Sequence, residues 1–218
     1  MGRVIAFDVN ETLLDMSALD PLFERAFGDA MVRGQWFSQM LQLAFVGGLT
    51  GRYVDFSTAQ RAALAMLAER HGTELGDAAE EIVGAMRSLP PHPEVPAALD
   101  ALTGPLAALT NSPLEVARDQ LANAGIAERF DAILSADQVR ALKPRPEPYQ
   151  LVASTFGASI GDVVLVAAHA WDVAGALSAG ARAAFIARPG MVLSPIGSQP
   201  EIVGRDLAEV AEALEGRA

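Results

Sequence analysis

The chain has 218 residues, 51% of them hydrophobic and 20% charged, with a formal net charge of −11 and no cysteine. Its length suits one domain with a large insertion or two small domains, and the absence of thiols excludes disulfides, thiol nucleophiles and thiolate metal sites. The negative charge disfavours nucleic acid as a partner, so any anionic substrate needs a locally positive site.

Every apolar run is broken by charge, Gly or Pro before the roughly 18 residues that a membrane-spanning helix needs, so no membrane partner is expected. The first residues show no basic, apolar and small-residue segments in series, which makes a cytoplasmic location the expectation. Residues 4–9 are a short, β-branched apolar run, the pattern of a strand buried on both faces. Asp8 lies at its carboxyl end with Thr12 in the same turn, and there a carboxylate serves either as an Asx-turn cap or as a nucleophile.

From Asp15 to about Leu89 the texture is helical, with amphipathic stretches at 20–27, 29–46, 57–71 and 77–88. Gly47 and Gly48 are expected to end the long helix, and the Pro-rich 89–96 to act as a semi-rigid hinge. Strand-like runs return at 106–110, 132–134, 163–167 and 183–186, alternating with helical periodicity. The prediction is an α/β protein: a Rossmann-like parallel sheet core with helices on both faces, formed by 1–14 and 94–218, with an inserted helical cap at 15–93.

In such a sheet ligands bind beyond the carboxyl ends of the strands. After 106–110 come Thr110, Asn111, Ser112, Pro113 and Glu115. Ser112 reads as an N-cap, Pro113 as the first helical residue and Glu115 as the third member of a capping box. Free N–H groups at that helix start, with Thr110 and Asn111, suit an anion, although an ordinary strand-to-helix turn asks for the same residues. Lys143 is either a solvated surface lysine or a cation that keeps a neighbouring carboxylate ionised. Tyr149 follows it in the next helix. Past 163–167, Asp172 either caps a helix that Gly180 can end or pairs with Lys143 and activates water. His169 offers a base, a leaving-group donor or a packed imidazole satisfied by backbone; taken alone, it reads as the last. His71 and His92 read as structural.

Taken in order, FDVNETLLD (7–15), LTNSP (109–113), LKPRPEPY (142–149) and AHAWD (168–172) resemble the haloacid dehalogenase superfamily, and within it the L-2-haloacid dehalogenase (type II) branch. The resemblance covers nearly the whole chain, and GRYVDF at 51–56 is similar to a recurring cap sequence of that branch. It implies Asp8 as nucleophile, Thr12 as its orienting partner and Lys143 as the cation that keeps it ionised. Thr110 and Asn111, with the backbone after Asp8 at Val9 and Asn10, would receive the substrate carboxylate. Tyr149 and Asp172 would support the site and activate water, and Trp171 would form a pocket wall.

The implied reaction converts short 2-haloalkanoic acids, (S)-2-haloacids or haloacetates, to 2-hydroxy acids through an aspartyl ester, without cofactor or metal. Phosphatases of the superfamily carry a second Asp two residues after the nucleophile and an acid-rich fourth motif for magnesium; here those places hold Asn10 and His169. A phosphatase with degenerate motifs and a catalytically silent binding protein stay as alternatives. The branch's halide-cradling Arg aligns with Phe37, and Arg33, one helical turn earlier, is expected to supply the missing charge. Family tendency suggests a homodimer, with the apolar stretch 41–46 as its candidate interface.

Overall fold

A computed structural model describes residues 2–216. Six parallel strands form one sheet: β1 (Val4–Phe7), β2 (Leu106–Thr110), β3 (Ala132–Ser135), β4 (Val163–Ala167), β5 (Arg182–Ile186) and β6 (Ile202–Gly204). Their order is β3-β2-β1-β4-β5-β6, so the sheet reverses direction of growth at β1. That reversal opens a crevice beyond the carboxyl ends of β1 and its neighbours, where the chain leaves for opposite sides.

Alternation along β1 explains why both faces are apolar. Ile5 and Phe7 pack on one side with Leu121 of α6 (Leu114–Asn123) and Val210 of α9 (Leu207–Glu215). Val4 and Ala6 pack on the other with Val152 of α7 (Pro146–Thr155) and Val173 of α8 (Ala170–Ser178). A strand buried on both faces has to be apolar at every position, which is why β1, β2 and β4 read as continuous apolar runs.

The segment between β1 and β2 is helical. It holds α1 (Asp20–Phe27), α2 (Val32–Leu49), α3 (Phe56–His71) and α4 (Ala78–Ala85), followed by α5 (Val95–Asp100), which packs against α9. Trp36 of α2 is fully buried and donates its indole N–H to the carbonyl of Gln60 on α3 at 3.0 Å. Where the chain leaves and re-enters the sheet layer, its two passes are paired: Asp15 N–H donates to Pro90 O at 2.8 Å, and His92 N–H to Leu13 O at 2.9 Å. The expected 89–96 hinge is thus tied to the turn that carries Asp8.

Two local expectations differ from the structure. The helix α2 continues through Gly47 and Gly48 to Leu49. Gly47 serves a close approach instead, since a Cβ there would lie 2.6 Å from the carbonyl oxygen of Arg52. The capping box at Ser112 does not form; Pro113 occupies the N-cap position without a side-chain bond. Ser112 is held by tertiary contacts, its carbonyl accepting the Ser135 hydroxyl at 2.6 Å. Of the 41–46 stretch, Leu41 and Ala44 are buried within the chain itself, while Val46 is exposed.

Gly175 of α8 brings that helix against the segment carrying Lys143 and Tyr149. A Cβ at this position would lie 2.5 Å from the Pro144 Cβ and 2.6 Å from the Tyr149 hydroxyl. Alanine is intrinsically favoured in a helix by about 1 kcal/mol, yet Gly175→Ala should destabilise the protein, by about 1–3 kcal/mol of overpacking. Denaturant unfolding measures this, and an unchanged or raised midpoint would contradict the close packing.

Candidate active site

Asp8 follows β1 directly, and its N–H donates to the Val166 carbonyl of β4 at 3.0 Å, so the carboxylate is anchored at the point where the sheet reverses. Thr12 turns back over it. The Thr12 hydroxyl accepts the Ala168 N–H at 2.9 Å, so its single hydrogen is directed to Asp8 Oδ2, at 2.7 Å. Between them Glu11 adopts φ of +63°, an uncommon conformation for a non-glycine residue. His92 Nε2 donates to the Glu11 carbonyl at 3.1 Å and Arg33 pairs with its carboxylate at 2.8 Å.

Lys143 is placed by a two-point clamp. Its N–H donates to Asn111 Oδ1 at 2.8 Å, and Asn111 Nδ2 donates to its carbonyl at 3.2 Å. The side chain is fully buried, and all three ammonium hydrogens have acceptors: Asp8 Oδ1 at 2.8 Å, Asp172 Oδ2 at 2.6 Å and Leu109 O at 2.9 Å. Asp172 Oδ1 accepts the Tyr149 hydroxyl at 2.6 Å. The expected Lys143–Asp172 pair is therefore present, and the same ammonium joins both carboxylates.

Burial alone would push the Asp8 carboxyl up, but the Lys143 ammonium and the hydrogen bond from His169 outweigh it and hold Asp8 well below the usual carboxylate range. Burial disfavours a charged Lys143; Asp172 and Asp8 more than compensate, and its pKa is raised. Asp172 is raised by burial and by Asp8, against the pull of Lys143. Burial and Asp172 keep Tyr149 well above its ordinary value, so its phenol stays a neutral donor. The cluster thus directs its strongest stabilisation of negative charge onto Asp8.

His169 is not satisfied by backbone. Its Nδ1 lies 3.0 Å from Asp8 Oδ2, and because an ionised carboxylate only accepts, Nδ1 carries the hydrogen. The ring stacks against Phe37 of α2 and against Trp171, each with centroids 5.3 Å apart. Phe45 meets the Trp171 ring edge-on at 5.5 Å, so helical insertion and sheet layer share this wall.

The remaining expected residues surround this centre. The Thr110 hydroxyl accepts the Ser112 N–H at 3.1 Å, so its own hydrogen remains available to donate; Asn111, bonded twice to Lys143, retains one amide hydrogen. Asn10, next to Val9, is turned to Gln120, whose amide donates to its side-chain oxygen at 2.9 Å, and to Ser112 Oγ at 3.4 Å. Arg33 is the only cation of α2, and Glu11 and Asp20 hold its guanidinium at 2.8 and 2.5 Å. The expectation that it replaces a halide-cradling Arg meets a charge that two carboxylates already neutralise.

Two residues beyond the motifs support the site. Arg188, after β5, donates to the Thr12 carbonyl at 2.8 Å and pairs with Glu94 at 2.6 Å, bracing the turn that carries Asp8. Gln120 links Asn10 to the Met86 carbonyl at 2.8 Å. No short motif contains either, because both reach the site only through the fold.

A strand-end aspartate held ionised by a buried lysine, at the reversal point of a parallel sheet, places the protein in a class of α/β hydrolases. The sequence profile of the haloacid dehalogenase-like hydrolases matches residues 3–180, and the chain belongs to that family. Its relatives include an (S)-2-haloacid dehalogenase of Xanthobacter autotrophicus, 32% identical over 196 residues, which span 86% of this chain and 76% of that one. The haloacetate dehalogenase H-2 of Moraxella sp. (strain B) is 30% identical over 205 residues, 91% of this chain and 92% of its own. The structure of the Xanthobacter L-2-haloacid dehalogenase with chloropropionic acid covalently bound superposes with a TM-score of 0.92 at 27% identity, covering 100% of both chains.

Replacing Lys143 by Met should leave two buried carboxylates without their cation and cost about 3–5 kcal/mol. Asp8, whose pKa is depressed, contributes stability that is present above the ordinary carboxylate value of 3.8 and lost as pH falls further. Denaturant midpoints of wild type and variant should therefore be far apart at neutral pH and converge in acid. A gap that is constant down to acid pH would contradict the charge account.

Proposed function

We propose that the protein is a hydrolytic dehalogenase that converts short 2-haloalkanoic acids, (S)-2-haloacids or haloacetates, to 2-hydroxy acids, with Asp8 as covalent nucleophile. The observation that carries this reading is the unequal dressing of the two Asp8 oxygens. Oδ2 accepts from both Thr12 and His169, whereas Oδ1 accepts from Lys143 alone and keeps a lone pair for attack. In this reading 15–93 is a cap over the core formed by 1–14 and 94–218, and the substrate sits between them.

The Thr110 hydroxyl, the free amide hydrogen of Asn111 and the backbone after Asp8, at Val9 and Asn10, receive the substrate carboxylate. Asp8 Oδ1 attacks the carbon that bears the halogen; the new C–O bond forms as the C–halogen bond breaks and its electron pair leaves with the halide. A halide leaves without a proton, so Asn10 suffices where a phosphatase would place an acid. The ester carbonyl is then Oδ2, already facing the Thr12 hydroxyl and the His169 Nδ1–H, two donors for the oxyanion formed when water adds. Water activated near Asp172 completes hydrolysis at the ester carbonyl, leaving the substrate carbon inverted once.

Halide release from both enantiomers of 2-chloropropionate and from chloroacetate, with and without magnesium and beside a panel of phosphate esters, tests the reading. Release should favour the (S) enantiomer, be independent of magnesium and fall about a thousandfold or more in Asp8→Asn. Magnesium-dependent phosphate release without halide release would replace it by a phosphatase, and no turnover of either would point to a binding protein.

A further inference from the structure

Among the described residues, two buried ring nitrogens of the site have no hydrogen-bond partner: Nε2 of His169 and Nε1 of Trp171. They belong to stacked rings at the entrance of α8, and His169 is only 6% exposed. A buried polar atom without a partner is costly, and in a pocket it points to a group that a ligand supplies. The indole nitrogen can only donate, so that group must be an acceptor.

Charge narrows its nature. Asp8, Asp172 and Lys143 together carry −1, and Arg33 with its two partners Glu11 and Asp20 adds no positive charge. A net negative centre disfavours an anionic acid, and a cation that offsets it would favour binding; His169 is the ring that touches Asp8. With hydrogens on both nitrogens it brings the cluster to zero.

Resting on the dehalogenase reading, we propose that His169 Nε2–H receives the departing halide, with the Trp171 indole N–H as second donor, in place of a guanidinium at Phe37. During displacement the Asp8 carboxylate, bound to Nδ1, becomes a neutral ester while a halide appears on the side of Nε2. Negative charge moves from the partner of one ring nitrogen to the partner of the other, and the imidazolium stays paired throughout. The hydrogen stays on Nε2, and the halide takes only the electron pair of the broken bond. Donors that meet charge only as it develops lower the barrier rather than merely binding substrate.

The test uses His169→Asn, which keeps an amide nitrogen where Nδ1 stands and removes Nε2, and Trp171→Phe, which removes only the indole N–H. Single-turnover halide release is measured for chloro-, bromo- and iodoacetate in each variant and in wild type. Chloride accepts hydrogen bonds more strongly than iodide, so His169→Asn should lose about 10- to 100-fold on the chloride substrate and several-fold less on the iodide one. Trp171→Phe should show a smaller loss in the same order. The chloride-to-iodide ratio within one variant does not depend on the fraction that folds. Equal loss on all three halides, or none, would overturn the inference while leaving the dehalogenase reading intact. No halide release by wild type would overturn both.

Discussion

The ammonium of Lys143, wholly buried and shared by Asp8, Asp172 and the Leu109 carbonyl, is the contact on which the rest of the site depends. A charge taken out of water is tolerable only when acceptors surround it. Those acceptors come from the ends of β1 and β2 and the start of α8, and the lysine itself from the loop after β3. Meeting that one requirement forces four strand ends into a single arrangement. Tyr149 and Asn111 then fix the second carboxylate and the lysine backbone, so the geometry is held before any substrate arrives.

This arrangement separates the tasks of the two carboxylates. Asp8 has the small residual exposure and the depressed pKa of a group that must act as an anion; Asp172 is fully enclosed, with both oxygens engaged and its pKa raised. Thr12 and His169 hold one oxygen of Asp8 and leave the other to Lys143 alone. The aromatic wall of Phe37, His169, Trp171 and Phe45 joins α2 to α8, so the helical insertion contributes side chains to the wall of the sheet crevice.

That Asp8, Thr12, Lys143 and Asp172 meet was legible from the ordered motifs and their family resemblance, and because a parallel sheet sends its strand ends to one crevice; residue by residue, each also read as a cap or a surface group. The helical segment after β1 was legible from periodicity. Arg188 and Gln120 were not, since each acts through a tertiary contact that no local pattern encodes. Gly47 was read as a terminator because glycine often ends helices, whereas here its lack of a Cβ admits the Arg52 carbonyl. Ser112 is not the cap because the helix begins one residue later, with Pro113 at the N-cap position. The link from His169 to Asp8 is a tertiary contact of a ring stacked against Phe37 and Trp171, and in sequence the same residue reads as ordinary packing.

The claim that Asp8 forms an ester is tested most directly by a single turnover in heavy-oxygen water, with enzyme in excess over 2-chloropropionate, followed by mass analysis of product and of the peptide containing Asp8. The account predicts label in the Asp8 carboxyl group and unlabelled oxygen in the hydroxyl group of the product. Label in the product of that first turnover, with none in Asp8, would contradict it and assign the attack to water.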